Sequence, residues 1–107
     1  MKKESRKKFV DWIASAMTEG DDILPHKSYN LGTAEVTVSN LLQQRPYTAI
    51  ELAFLMRVPP YRTVVAIGFT KVCYPDRWDP EYGKQLAVKK AAAQIAKEVE
   101  ANWLWRT

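Results

Sequence analysis

The chain has 107 residues, a length typical of one compact domain, and 47% of them are apolar, which is enough for one hydrophobic core. A single cysteine excludes an internal disulfide, and no apolar run approaches the roughly 18 residues that span a bilayer. We therefore expect a cytoplasmic protein with a single domain over residues 1–107. The formal net charge of +4 permits nucleic-acid binding without requiring it.

The first predicted element is a helix over residues 5–19, with Gly20 placed as a C-terminal cap. Basic residues crowd the preceding positions, where the helix macrodipole would favour acids. Residues 1–8 are therefore interpreted as a basic arm and helix start, either solvated or in contact with phosphates. The helical stripe of apolar residues is Phe9, Ile13, Ala16 and Met17.

Three strands are predicted after a loop over residues 20–32. The first strand, residues 33–39, alternates strictly between apolar and polar side chains, as a half-buried strand does. The second and third strands cover residues 47–58 and 61–72. Pro59-Pro60 cannot continue a ladder, so these two strands are expected to form an antiparallel hairpin.

The segment CYPDRWDPEYGKQ, residues 73–85, is interpreted as the connection from the third strand to the last helix. Asp79 is a predicted N-cap and Pro80 the first helical residue, so the helix covers about residues 80–101. The predicted fold is therefore α+β, in the order α-β-β-β-α, with a three-stranded antiparallel sheet and both helices on one face. Residues 102–107 form an aromatic tail that packs on the sheet or contacts a partner.

Candidate catalytic and metal-binding residues are few. His26 and Cys73 are the one possible Cys–His pair, and their positions do not have metal-ligand spacing. The acids at 21–22 and at Asp76 and Asp79 have the simpler roles of turn formation and helix capping. A hydrolytic site around Asp76 and Asp79 is the minor alternative. The chain is predicted to be non-enzymatic, with no metal and no cofactor.

Nucleic-acid binding is the main functional hypothesis, because lysines and arginines cluster on both predicted helices. The alternative is that these side chains form an ordinary solvated surface. The candidate phosphate contacts are Lys2, Lys3, Arg6, Lys7, Lys8, Lys84, Lys89 and Lys90.

The order of elements and the run GKQLAVKKAAAQIA, residues 83–96, resemble the double-stranded RNA-binding domain family. Lys84 matches the first lysine of that family's motif, and Ala91-Ala92 match the alanine pair that packs on the sheet. Gln85 and Val88 stand where the family has two further phosphate-binding lysines. The resemblance therefore implies the fold, whereas binding of double-stranded RNA is not carried over.

A second resemblance lies in the strand end at Cys73 followed by Pro75-Asp76, Trp78 to Glu81, and Gly83. This pattern is similar to small bacterial and bacteriophage proteins of uncharacterised function. It implies a phage-type accessory protein that binds and modulates a host protein, and it supplies no catalytic residues. A homodimer is a further possibility that the sequence leaves open. The candidate partner contacts are Trp78, Trp105, Tyr61 and Arg62.

Overall fold

The structure, a computed structural model, describes residues 3–18, 23–59, 61–71 and 79–102. Its four described strands form one antiparallel sheet in the order β1-β2-β3-β4, which confirms the α+β class. Neither described helix is long and apolar enough to cross a membrane. The elements are α1 (Lys3–Thr18), β1 (Ser28–Asn30), β2 (Ala34–Gln44), β3 (Tyr47–Met56), β4 (Thr63–Lys71) and α2 (Pro80–Asn102).

The prediction of three strands is wrong, because the segment expected to be a loop contains the short strand β1. This strand pairs antiparallel with β2 and places Ser28 opposite Thr37. Tyr29 anchors it in the core and accepts a hydrogen bond at its hydroxyl from the Leu24 backbone N–H, 3.2 Å away. Three residues are too few to display an alternating pattern, so pairing with a long neighbour creates the strand.

Strand β2 continues to Gln44, beyond the predicted end at Ser39. A register shift between Val38 and Asn40 marks a β-bulge, and a bulge interrupts strict alternation without ending the ladder. The turn into β3 contains a cis peptide bond between Arg45 and Pro46. The antiparallel hairpin of the next two strands is confirmed by the β3–β4 register.

The predicted start of the last helix is confirmed. The Asp79 carboxylate accepts a hydrogen bond from the Tyr82 backbone N–H at 3.1 Å, and α2 begins at Pro80. At the other end of the chain, Lys3 to Lys8 lie within α1, so the described part of the basic arm is helical.

The core lies between one face of the sheet and the two helices. Ile13 and Met17 of α1, and Ala91 and Ile95 of α2, are fully buried in the same cluster as strand residues such as Leu52. The start of α1 contacts the end of α2 through the Arg6–Glu100 ion pair, so the helices run antiparallel to each other. We call the two helices the helical layer. The opposite face of the sheet, which we call the open face, presents Leu42, Tyr47, Ala49, Glu51, Ala53, Leu55, Val65, Ile67 and Phe69.

Candidate functional site

Basic side chains lie on both layers of the molecule, and more of them are exposed on the helices than on the sheet. Helix α1 contains four basic and two acidic residues, and α2 contains four basic and three acidic residues, so the helical layer has a formal charge of +3. The four strands contain two acidic residues and one basic residue, a formal charge of −1. The segments that join the strands add four basic residues, Lys27, Arg45, Arg57 and Arg62, so the described sheet layer also has a formal charge of +3. The layers differ instead in exposed basic side chains, which number five on the helices, Lys7, Lys8, Lys89, Lys90 and Lys97, and three on the sheet and its turns, Arg45, Arg57 and Lys71.

An ion pair joins the start of α1 to the end of α2. The Arg6 guanidinium lies 2.6 Å from the Glu100 carboxylate and donates a hydrogen bond to it. Lys7 and Lys8 are adjacent to Arg6 in the sequence and are exposed, and Lys97 is exposed one helical turn before Glu100. Lys7, Lys8 and Lys97 are therefore exposed at the same end of the helical layer, whereas Arg6 is paired with Glu100.

Lys84 is a buried structural residue. Only 7% of it is exposed, and its Nζ donates to the Ile23 backbone carbonyl at 3.3 Å and lies 2.9 Å from a Glu81 carboxylate oxygen. These contacts join the first turn of α2 to the segment that precedes β1. A phosphate could reach this ammonium only by displacing them, so the structure does not place Lys84 with the exposed lysines.

Lys89 and Lys90 are both exposed on α2, but their environments differ. The Lys90 Nζ donates a hydrogen bond to the Phe69 backbone carbonyl at 3.2 Å, at the outer edge of β4. Lysine at a sheet edge is a common protection against unwanted strand pairing. Of the predicted phosphate contacts, Lys2 lies outside the described residues, and the side chain of Lys3 is not described.

The predicted partner contacts are only partly described. Tyr61 is 71% exposed, and Arg62 is partly buried, with its backbone carbonyl accepting a hydrogen bond from Met56 N–H at 2.9 Å. Trp78 and Trp105 lie outside the described residues, as do residues 73–78 of the connector and residues 103–107 of the tail.

The candidate catalytic residues are not assembled in the described part of the chain. The His26 side chain is exposed, and its backbone has a left-handed conformation (φ 67°). The backbone N–H of this residue donates a hydrogen bond to the Val38 backbone carbonyl at 2.7 Å. Cys73, Asp76 and the acids at 21–22 lie outside the described residues, and Asp79 caps α2. Within the described ranges, no three His, Cys, Asp or Glu side chains cluster as metal ligands would.

Glu35 and Arg57 form an ion pair near the β1 edge of the sheet. Arg57 donates from its guanidinium to Glu35 and to the Asn30 side-chain oxygen, the latter at 2.9 Å. Hydrogen bonds from Arg57, and then from Ser28, hold the pKa of the Glu35 carboxyl below its ordinary value. The pair connects β2 to the segment after β3 and is structural in character.

The open face is a surface that the sequence reasoning missed. Val65 and Ile67 on β4 are 57% and 58% exposed, and Phe69 beside them stacks on Tyr47 with ring centroids 5.5 Å apart. The Lys71 ammonium lies 5.6 Å from the Tyr47 ring centroid. Residues 64–69 are apolar or glycine at every position, and such a run signals a strand with two apolar faces.

Comparisons with known proteins return nothing for this chain: no family model, no curated protein and no solved structure matches it. The resemblances to double-stranded RNA-binding domains and to bacteriophage proteins therefore stay predictions.

Proposed function

We propose that the chain is a small, non-enzymatic cytoplasmic protein that binds nucleic-acid phosphates through its helical layer. The observation that carries this proposal is the set of five exposed lysines on the described helices, against three exposed basic residues on the described strands and turns of the sheet. Exposed cations grouped on one surface attract a polyanion more strongly than the same number spread evenly. The α-β-β-β-β-α order fits a double-stranded RNA-binding-like fold to which β1 adds an edge strand.

The contacts in this proposal differ from the full predicted set. Lys7 and Lys8 are retained with Lys89, and Lys97 is added because it belongs to the same end of the helical layer as Lys7. Lys89 and Lys97 are eight residues apart on α2, a rise of about 12 Å, which matches roughly three to four nucleotides of one strand. Side chains of this kind position a backbone and carry no base readout, so we expect little sequence preference.

Fluorescence anisotropy tests the proposal with labelled duplex RNA, duplex DNA and single strands at low and physiological salt. We expect affinity to fall steeply with salt, because each neutralised phosphate releases a counterion. The Lys7→Gln/Lys8→Gln variant should lower the magnitude of the log–log salt slope by about 2 on duplex DNA.

The matched control is Arg45→Gln/Lys71→Gln, which removes two positive charges from exposed positions in the β2–β3 turn and on β4 rather than on the helices. We expect its salt slope to equal that of the wild type. Equal losses in both double variants would mean that total charge, and not the helical layer, determines binding. Absence of binding to every probe at low salt would contradict the proposal.

A second candidate function, contact with a host protein, is favoured by the exposure of Tyr61. An exposed tyrosine beside an arginine is a common anchor at protein interfaces. The test is recovery of a stoichiometric, salt-resistant complex on immobilised protein, with Tyr61→Ala compared with the matched variant Tyr82→Ala, which truncates another exposed tyrosine. Equal recovery by both variants would reject an interface at Tyr61.

A further inference from the structure

The open face contains a ridge and a groove that lie side by side. The ridge is the line of large side chains on β4, Val65, Ile67 and Phe69. The groove is the neighbouring line on β3, where Ala49 and Ala53 are small. The cross-strand register pairs Ala49 with Phe69 and Ala53 with Val65, so the two ends of the ridge have a small residue beside them, whereas Ile67 in the middle has Glu51 beside it.

A depression lies at one end of this groove. It has a volume of about 270 Å³ and is lined by Leu42, Gln44, Tyr47, Ala49 and Phe69. Ala49 forms its floor, because this residue projects only a methyl group between larger neighbours. The walls are mainly aromatic and aliphatic, which makes the depression suitable for an aromatic side chain.

We propose that the open face binds a second copy of this chain, face to face, with the ridge of each copy in the groove of the other. The two-fold axis runs parallel to the strands, between β3 and β4. This rotation keeps each residue at its level along the strand and exchanges β3 with β4. Phe69 then enters the partner's depression above Ala49, and Val65 packs over the partner's Ala53.

The contact is self-complementary, as an isologous dimer interface must be. Each ridge residue meets a groove residue, and the symmetry repeats the same contact on the other side. Glu51 also lies in the groove, where Ile67 is its neighbour on β4. The two-fold axis therefore places Glu51 opposite Ile67 of the partner subunit, and the two Glu51 carboxylates do not face each other. Two aligned sheets packed in this way have the geometry of a β-sandwich.

The exposed apolar area is sufficient for such a dimer. Among the described residues, six large apolar side chains on this face are at least 40% exposed. At on the order of 100 Å² each, they supply about 600 Å² per chain, or about 1,200 Å² in total, the small end of specific interfaces. The rim is polar, with Lys71 at one end and the Glu35–Arg57 pair at the other, as in typical interfaces.

A size-swap experiment tests this packing by sedimentation equilibrium between about 1 and 300 µM, since small interfaces often have micromolar affinity. Ala49→Phe fills the groove, and we expect it to weaken dimerisation by at least about tenfold, because the partner's Phe69 is displaced. Phe69→Ala empties the ridge and should weaken it to a similar degree. The double variant Ala49→Phe/Phe69→Ala exchanges ridge and groove and should restore most of the affinity.

Ser15→Phe is the matched control, because it adds the same ring to an exposed position on α1. It should leave dimerisation unchanged, and circular dichroism melting would verify that all variants fold. Tighter association of Ala49→Phe than of the wild type would show a merely adhesive apolar surface and overturn the proposal. A monomer throughout the range, or a dimer that none of the open-face variants alters, would overturn it as well.

Discussion

The backbone of α2 rests directly on β4 where Gly68 meets Ala87. A β-carbon added to Gly68 would come 1.8 Å from the Ala87 carbonyl oxygen and 2.8 Å from the Ala91 nitrogen. Helix and strand therefore approach each other more closely than any side chain larger than hydrogen allows. This contact sets the distance between α2 and the sheet. Because that distance is short, the small buried alanines of the helix are enough to fill the space between them.

Substituting Gly68→Ala should destabilise the protein, because backbone atoms cannot move aside as the end of a flexible side chain can. We expect the free energy of unfolding to fall by at least about 1–3 kcal/mol, the usual cost of overpacking. Urea denaturation followed by circular dichroism would measure it. Thr63→Ala, on an exposed position of the same strand, is the control and should change stability by much less.

The helical part of the fold could be predicted from the sequence because its signals are local. Asp79 followed by Pro80 marks the start of α2, and the Ala91-Ala92 pair marks the side that packs on the sheet. Both features depend on residues within one or two helical turns. The structure confirms them with bounds that differ from the prediction by one or two residues.

Strand β1 and the role of Lys84 could not be predicted, since both depend on contacts between distant segments. The lysine donates to Ile23, 61 residues earlier in the chain, and nothing in the sequence around it indicates that partner. The open face was missed for a different reason. Its apolar residues on β4 alternate with buried ones, so the continuous apolar run over residues 64–69 does not by itself indicate which of its side chains face the helices.

Lys84 and Lys89 should respond in opposite ways to the same substitution. Lys84→Met keeps the buried stem but leaves the Ile23 carbonyl without its donor, so we expect a loss of about 1–3 kcal/mol in the free energy of unfolding and unchanged affinity for nucleic acid. Lys89→Met should change stability by less than about 0.5 kcal/mol and should weaken binding. Denaturation and anisotropy on both variants measure this, and a weaker affinity for folded Lys84→Met would contradict the structural role.

Asp79→Ala should destabilise α2 by removing the acceptor for the Tyr82 backbone N–H. Loss of an N-cap side chain costs about 0.5–2 kcal/mol in the free energy of unfolding. Asp79→Asn, which keeps an acceptor at the same place, should lose only a few tenths. If thermal and urea denaturation give the same large loss for both variants, the negative charge, not the hydrogen bond, would be the important property.

The Glu35–Arg57 pair should make the free energy of unfolding depend on pH. The pKa of the Glu35 carboxyl is lowered in the folded state from an ordinary value of 4.5. The carboxylate therefore makes its full contribution to stability when the pH is above that ordinary value. The contribution is lost as the pH falls through the lower, folded pKa. Glu35→Gln should therefore reduce stability near neutral pH and flatten its decline in acid. Urea denaturation at a series of pH values would show both effects, and Arg57→Gln should reproduce them.

The double variant Glu35→Gln/Arg57→Gln should lose little more stability than either single variant, because each single change already removes the same interaction. Additive losses would mean that the two side chains act independently.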